Sequence, residues 1–163
     1  MAQAGNIEYV ATDPATQLRA AIAQNAAAYL DLQLPQSISA GRTCRCRIRN
    51  ISIQSVENVG WEIWIFRRKR TGAEAIADSQ FMGYWTFTAN SAVRIAGAGL
   101  YYYFIPGLDI VYEATDQLAD GQPDDEAQRQ KLHIAVIARE AGKSADAAGE
   151  VRIQFDLEPT MGW

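Results

Sequence analysis

The sequence predicts a mainly β protein: an antiparallel β-sandwich, jelly-roll-like in its winding, with an N-terminal arm and a short helix ahead of it. Three observations predict it. From residue 29 onward apolar residues recur at every second position in one segment after another, the period of a strand with one face buried. The segments are separated by Gly-, Pro- and Asn-rich turns with no helical pattern between them, and parallel pairing needs long, usually helical crossovers. Eight or nine such strands in a chain of 163 residues, 48% hydrophobic and 21% charged, suit two stacked sheets around one core that needs no disulfide or metal staple. The division is residues 1–28 for the arm and helix and residues 29–163 for the sandwich.

Thr12, Asp13 and Pro14 make a helix start, since Asp13 can cap free amides and Pro14 suits the first helical position. Leu18, Ile22, Asn25 or Ala26, and Tyr29 then follow helical spacing, which predicts a helix over about residues 14–27. Its apolar face is mostly alanine and needs a surface to dock on. The period then changes to two. Leu30, Leu32 and Leu34 alternate with Asp31 and Gln33 until Pro35. Cys44, Cys46 and Ile48 alternate with Arg45, Arg47 and Arg49, and the parity shifts at Ile51 and Ile53, so a bulge is expected at Asn50. Trp61, Ile63 and Ile65 face one way and Glu62, Trp64, Phe66 and Arg68 the other; a strand apolar on both sides is central or covered twice.

The basic run at 67–70 reads as a charged hairpin tip or loop start. Phe81, Gly83, Trp85 and Phe87 form the next alternating set, Val93 and Ile95 a short strand, and residues 100–105 an aromatic strand cut by Pro106 and Gly107. Leu108, Ile110 and Tyr112 continue it. Residues 113–130 read as one polar loop, Leu132, Ile134 and Val136 as a strand, residues 142–149 as a small-residue loop, and Val151, Ile153, Phe155 and Leu157 as the last strand.

Charge and composition limit the chemistry. Fifteen Lys and Arg against nineteen Asp and Glu give a net charge of −4, which argues against a general nucleic-acid binder. The first residues lack a basic and an apolar segment of secretory type, and no apolar run approaches a membrane span; the expectation is a protein made in a cytoplasm. Nucleophilic catalysis through a histidine would have to use His133, the only one, which lies on the alternate face of its strand beside Ala135 and Ile137. Neither a nucleophile elbow nor a phosphate-binding loop occurs. Cys44 and Cys46 are expected to be reduced core thiols; a metal site there needs two further ligands, with His133 the obvious nitrogen donor. Glu62, Asp109 and Glu113 keep a small glycosidase-type hydrolase open, since that reaction needs only two carboxylates at a suitable distance. The acidic stretch 116–126 matches a calcium loop at Asp116, Asp120 and Gly121 but departs from it at Leu118 and Ala127; it is either a solvated loop or a cation site. No catalytic residue, cofactor or metal is assigned.

The remaining features point to surfaces. Arg45, Arg47 and Arg49 form a ladder of like charge that needs acids opposite, from Glu150, Asp156 and Glu158 or from a partner. Trp61, Trp64, Tyr84, Trp85, Tyr101, Tyr102, Tyr103 and Phe104 include sequence neighbours and cannot all face one core. Some point outward, and exposed aromatics bind sugar rings or anchor protein interfaces, unless the helix or arm covers them. Trp163 at the last residue is best explained by docking, because unpinned termini fray. The binding-surface candidates are Arg45, Arg47, Arg49, Trp64, Tyr84, Trp85, Tyr102 and Trp163.

With its arm up to Leu34, its strand series from Arg42 to Glu158, the tyrosine-rich run at 101–107 and the closing segment 157–163, the chain resembles the small β-sandwich virion proteins of tailed bacteriophages, the capsid decoration or cement type. The resemblance implies a non-enzymatic structural protein located in the virion, present in many copies, a homo-oligomer bound to a capsid lattice; the charge and the short apolar runs already argue for no nucleic-acid and no membrane partner. The alternative is a carbohydrate-binding β-sandwich that stacks a glycan on its exposed Trp and Tyr rings.

Overall fold

The computed structural model of the chain describes residues 7–13, 25–40, 44–70, 80–95, 97, 99–118, 122–139 and 151–160. Ten strands form among them: β1 (Glu8–Ala11), β2 (Ala27–Gln33), β3 (Cys46–Ser55), β4 (Trp61–Phe66), β5 (Phe81–Phe87), β6 (Val93–Ile95), β7 (Leu100–Ile105), β8 (Ile110–Tyr112), β9 (Lys131–Ala138) and β10 (Val151–Pro159). They make two sheets. The first runs β1-β10-β3-β7-β6, with β8 beside β3 where β7 has ended; the second runs β2-β9-β4-β5. Every pairing is antiparallel. The chain moves from one sheet to the other after β1, β2, β3, β5, β8 and β9.

The period-two pattern decides which side of each strand is buried. Ile48, Ile51, Ile53, Tyr103, Ile153, Phe155 and Leu157 from the first sheet meet Leu32, Trp61, Ile63, Ile65, Phe87, Leu132, Ile134 and Val136 from the second in one core. Each such side chain contributes roughly 1.5–3 kcal/mol on leaving water. Two tyrosines carry polar groups into this core and satisfy them. The Tyr103 hydroxyl accepts the Val59 N–H at 3.0 Å and lies 2.7 Å from the Val59 carbonyl. That of Tyr112 accepts the His133 N–H at 3.0 Å and lies 3.0 Å from the Lys131 carbonyl and 3.1 Å from that of Phe66.

The parity shift in β3 is a bulge: Asp156 pairs with Asn50 while Leu157 pairs with Ile48, so Arg49 is the extra residue, one position before the expected Asn50. A second irregularity between Ile65 and Phe66 lets Phe81 face outward while Gly83, Trp85 and Phe87 stay opposite inward-facing residues of β4. Gly83 there has φ +137°, a conformation that side-chain-bearing residues rarely adopt.

Several expectations change. The predicted helix over 14–27 falls mostly outside the described residues, but Ala27 already belongs to β2. The one described α-helix is Gln36–Ser39, α1, a single turn that follows Pro35. The arm contributes a strand, because Glu8–Ala11 pairs with β10, Val10 is buried, and the Thr12 hydroxyl accepts the Ile153 N–H at 2.9 Å. Cys44 lies before β3 with φ +46° rather than on the strand. The stretch 113–130 is not all loop, since Glu126–Gln130 forms a 3-10 turn capped by the Asp125 carboxylate. The basic run starts the connection from β4 to β5, as expected of a loop start, but it is not simply solvated: Arg67 bonds the Gln80 and Glu113 carbonyls at 2.8 Å each, and Arg70 is buried with its guanidinium 4.8 Å from the Phe66 ring centre.

Candidate binding surfaces

Because β4 is apolar on both sides, the outer face of the second sheet carries an aromatic field. Trp64 lies 5.1 Å from Phe81 and 5.9 Å from Tyr84, centre to centre; Phe66 lies 5.6 Å from Phe81 and 6.4 Å from Tyr29. Such tilted contacts add to the burial of the rings. Phe66 is buried, Trp64 half-buried and Tyr84 exposed. Glu62 sits beside this field, gripped by Arg139 through two bonds of 2.8 and 2.9 Å, and it also accepts the Trp64 indole N–H. The Arg139 hydrogen bond holds the Glu62 carboxyl below its usual range, against the opposing effect of burial. The indole and the guanidinium are thereby fixed in orientation.

Deeper on the same face, His133 is buried between two acceptors. Its Nδ1 lies 2.7 Å from Asp31 Oδ1 and its Nε2 3.1 Å from the Gln128 carbonyl. Burial pushes the Asp31 carboxyl up, but the bond to His133, its charge and that of Lys69 together hold it below the usual range. With both ring nitrogens engaged, His133 ties β2 and β9 to the 3-10 turn. Among the described residues no group of three or more His, Cys, Asp or Glu is placed to hold a metal. Both cysteines are buried; the Cys44 thiol donates to the Ser39 carbonyl at 3.4 Å, and burial raises the Cys46 thiol to about 12.

The outer face of the first sheet is polar along its middle. Arg152 donates to Gln154 at 2.8 Å, Gln154 to Asp156 at 2.9 Å, Asn50 to Asp156 at 3.0 Å, and the Gly107 N–H reaches Asn50 at 3.3 Å. Past this row, Arg47 and Arg49 share Asp109 at 2.7 and 3.1 Å, and Arg49 also pairs with Glu158. Strict alternation puts Arg47 and Arg49 on one face, where they share a carboxylate, and the bulge at Arg49 turns Ile51 back into the core. At both edges the face becomes apolar. Tyr102 and Phe104 stack at 6.1 Å beside β6, where Val93 is 65% and Ile95 41% exposed; at the opposite edge Tyr9 is 62% and Ile7 58% exposed.

The residues predicted to form a binding surface therefore fall in several places. Arg47, Arg49 and Tyr102 lie on the outer face of the first sheet, and Arg45 is exposed just ahead of β3. Trp64 and Tyr84 lie on the outer face of the second. Trp85 is directly opposite Ile63 and packs against the core, turned away from Tyr84. Trp163, Glu150 and the loop 142–149 lie outside the described residues. Of the acids expected to face the arginines, Glu158 does, Asp156 serves Asn50 and Gln154, and Asp109 was missed because its approach depends on the turn after β7. In the acidic stretch, Asp116 pairs with Arg129 and Asp125 caps the turn; Asp120 and Gly121 lie outside the described residues. No protein-family model matches the chain, and no curated protein matches it in sequence.

Proposed function

We propose that the protein is a non-enzymatic assembly module, a virion component of the capsid decoration or cement type, which binds neighbouring protein subunits through the first sheet and its termini. The observation that carries this reading is the distribution of exposed apolar side chains. Ile7, Tyr9, Val93, Ile95 and Phe104 flank a polar face whose members already satisfy one another. Open sheet edges with aliphatic and aromatic residues are prone to pair with another chain, and exposed patches of this kind serve as interfaces. On this reading the chain is made in the host cytoplasm and ends in the particle. The test is co-sedimentation with shells assembled from the major capsid protein encoded in the same genome. Saturable binding at a fixed ratio to the capsid subunit is expected; a chain that stays in the supernatant at every ratio overturns the reading.

A carbohydrate-binding alternative rests on Trp64 and Tyr84, whose rings lie beside the fixed Glu62 and Arg139 groups. Such a surface would quench or enhance tryptophan fluorescence in a glycan titration, and Trp64→Ala would abolish the change.

A further inference from the structure

We infer that copies of this chain join head to tail, with β6 of one protomer adding to β1 of the next, so that the first sheet continues from molecule to molecule. This names the self-contact within the assembly reading above and rests on it. β1 and β6 are the outermost strands of the first sheet, each paired on one side among the described residues. Four successive antiparallel pairings separate them, so both run in the same direction. A neighbour rotated about an axis along the strands therefore presents β1 parallel to β6.

The side chains match in that arrangement. Val93 pairs with outward-facing Tyr102, while Arg94 lies opposite Tyr101, which packs toward the core. Across the molecule Tyr9 faces outward opposite Asp156, with Ile7 on the same side, and Glu8 lies opposite the core residue Leu157. Setting residues 93–95 alongside residues 7–9 brings apolar, charged, apolar against apolar, charged, apolar. Arg94 then meets Glu8, and Tyr102, Val93 and Ile7 fall in one row on the outer face. Neither Arg94 nor Glu8 has an ion-pair partner among the described residues. The competing two-fold contact is disfavoured. Pairing β6 with itself antiparallel so that all three residues take part sets Arg94 against a second Arg94, and like charges directly opposite destabilise a strand pair.

A head-to-tail contact cannot close as a dimer; it gives a ring of three or more copies or an open filament. Sedimentation velocity on the full chain, over a range of concentrations, reads this directly. The expected species holds at least three protomers. Arg94→Glu and Glu8→Lys should each weaken association by about tenfold or more, and the double variant should recover most of the loss. Both positions are on the surface, and circular dichroism of each variant checks that the sheets are intact. A wild-type chain that is monomeric or stops at a dimer overturns the inference, as does a double variant no better than the single ones. A monomeric chain that still pellets with capsid shells rejects this contact and leaves the assembly reading standing; rings that bind no shell do the reverse.

Discussion

The polar residues inside this sandwich are placed to be tested one at a time. Tyr112→Phe keeps the ring and removes the hydroxyl that meets the His133 N–H and the Lys131 and Phe66 carbonyls. Leaving such buried groups unpaired costs about 1–3 kcal/mol, which urea unfolding would show as a lower midpoint at unchanged slope. Acid should act through Asp31 and Glu62, whose carboxyls the fold holds below their usual values of 3.8 and 4.5. A carboxyl depressed in the folded state contributes stability above its unfolded value and loses it as pH falls through the folded one. The melting temperature should therefore be flat above about pH 5 and drop toward about pH 3, and Asp31→Asn with Glu62→Gln should lower it at neutral pH and flatten the acid slope. An unchanged slope in the double variant would contradict that assignment. His133 could be read from the sequence as a residue on the alternate face of its strand, but its partners could not. Asp31 is 102 positions away, and only the β2–β9 register brings the two together.

Among the elements, what the sequence revealed is what period two encodes. β4, β7, β9 and β10 stand where alternation of Trp61/Ile63/Ile65, the 100–105 run, Leu132/Ile134/Val136 and Val151/Ile153/Phe155/Leu157 puts them. A parity shift is equally visible, which is why the β3 bulge was legible to within one residue. Its role yields a prediction. Removing Arg49 leaves Cys46, Ile48, Ile51 and Ile53 in strict alternation, so that deletion should fold with a β spectrum, at a cost in stability from the lost Asp109 and Glu158 contacts. Inserting an alanine after Ile51 turns Ile53 and Ser55 to the wrong face and should prevent folding. Gly83 marks the other irregularity. Gly83→Ala must take φ +137° with its Cβ 3.5 Å from the Trp85 ring, and a melting curve should report a loss of about 1–3 kcal/mol. What period two does not encode is contact beyond the strand: the burial of Arg70 on Phe66, and the addition of Glu8–Ala11 to the first sheet from within a segment whose composition suggested an arm.

At the scale of the whole molecule, two sheets bury a continuous core between them and differ in what they show outside. The second presents rings steadied by Glu62 and Arg139; the first presents a self-satisfied polar strip between apolar edges. Tyr102 is already a surface candidate in the sequence, but the contrast between the sheets is not legible there, because only the pairing of Tyr103 with Ile53 and of Tyr102 with Gln54 assigns those neighbours to the first sheet and to its opposite sides. It also directs binding to the edges of the first sheet. The most direct measurement is hydrogen exchange by mass spectrometry on the concentrated and the diluted chain. Amides of peptides covering 93–95 and 7–11 should become protected together as concentration rises, while β3, β9 and β10 stay protected throughout. Edges that exchange equally fast at every concentration, with and without capsid shells, would contradict the claim that the first sheet is built to be extended by another chain.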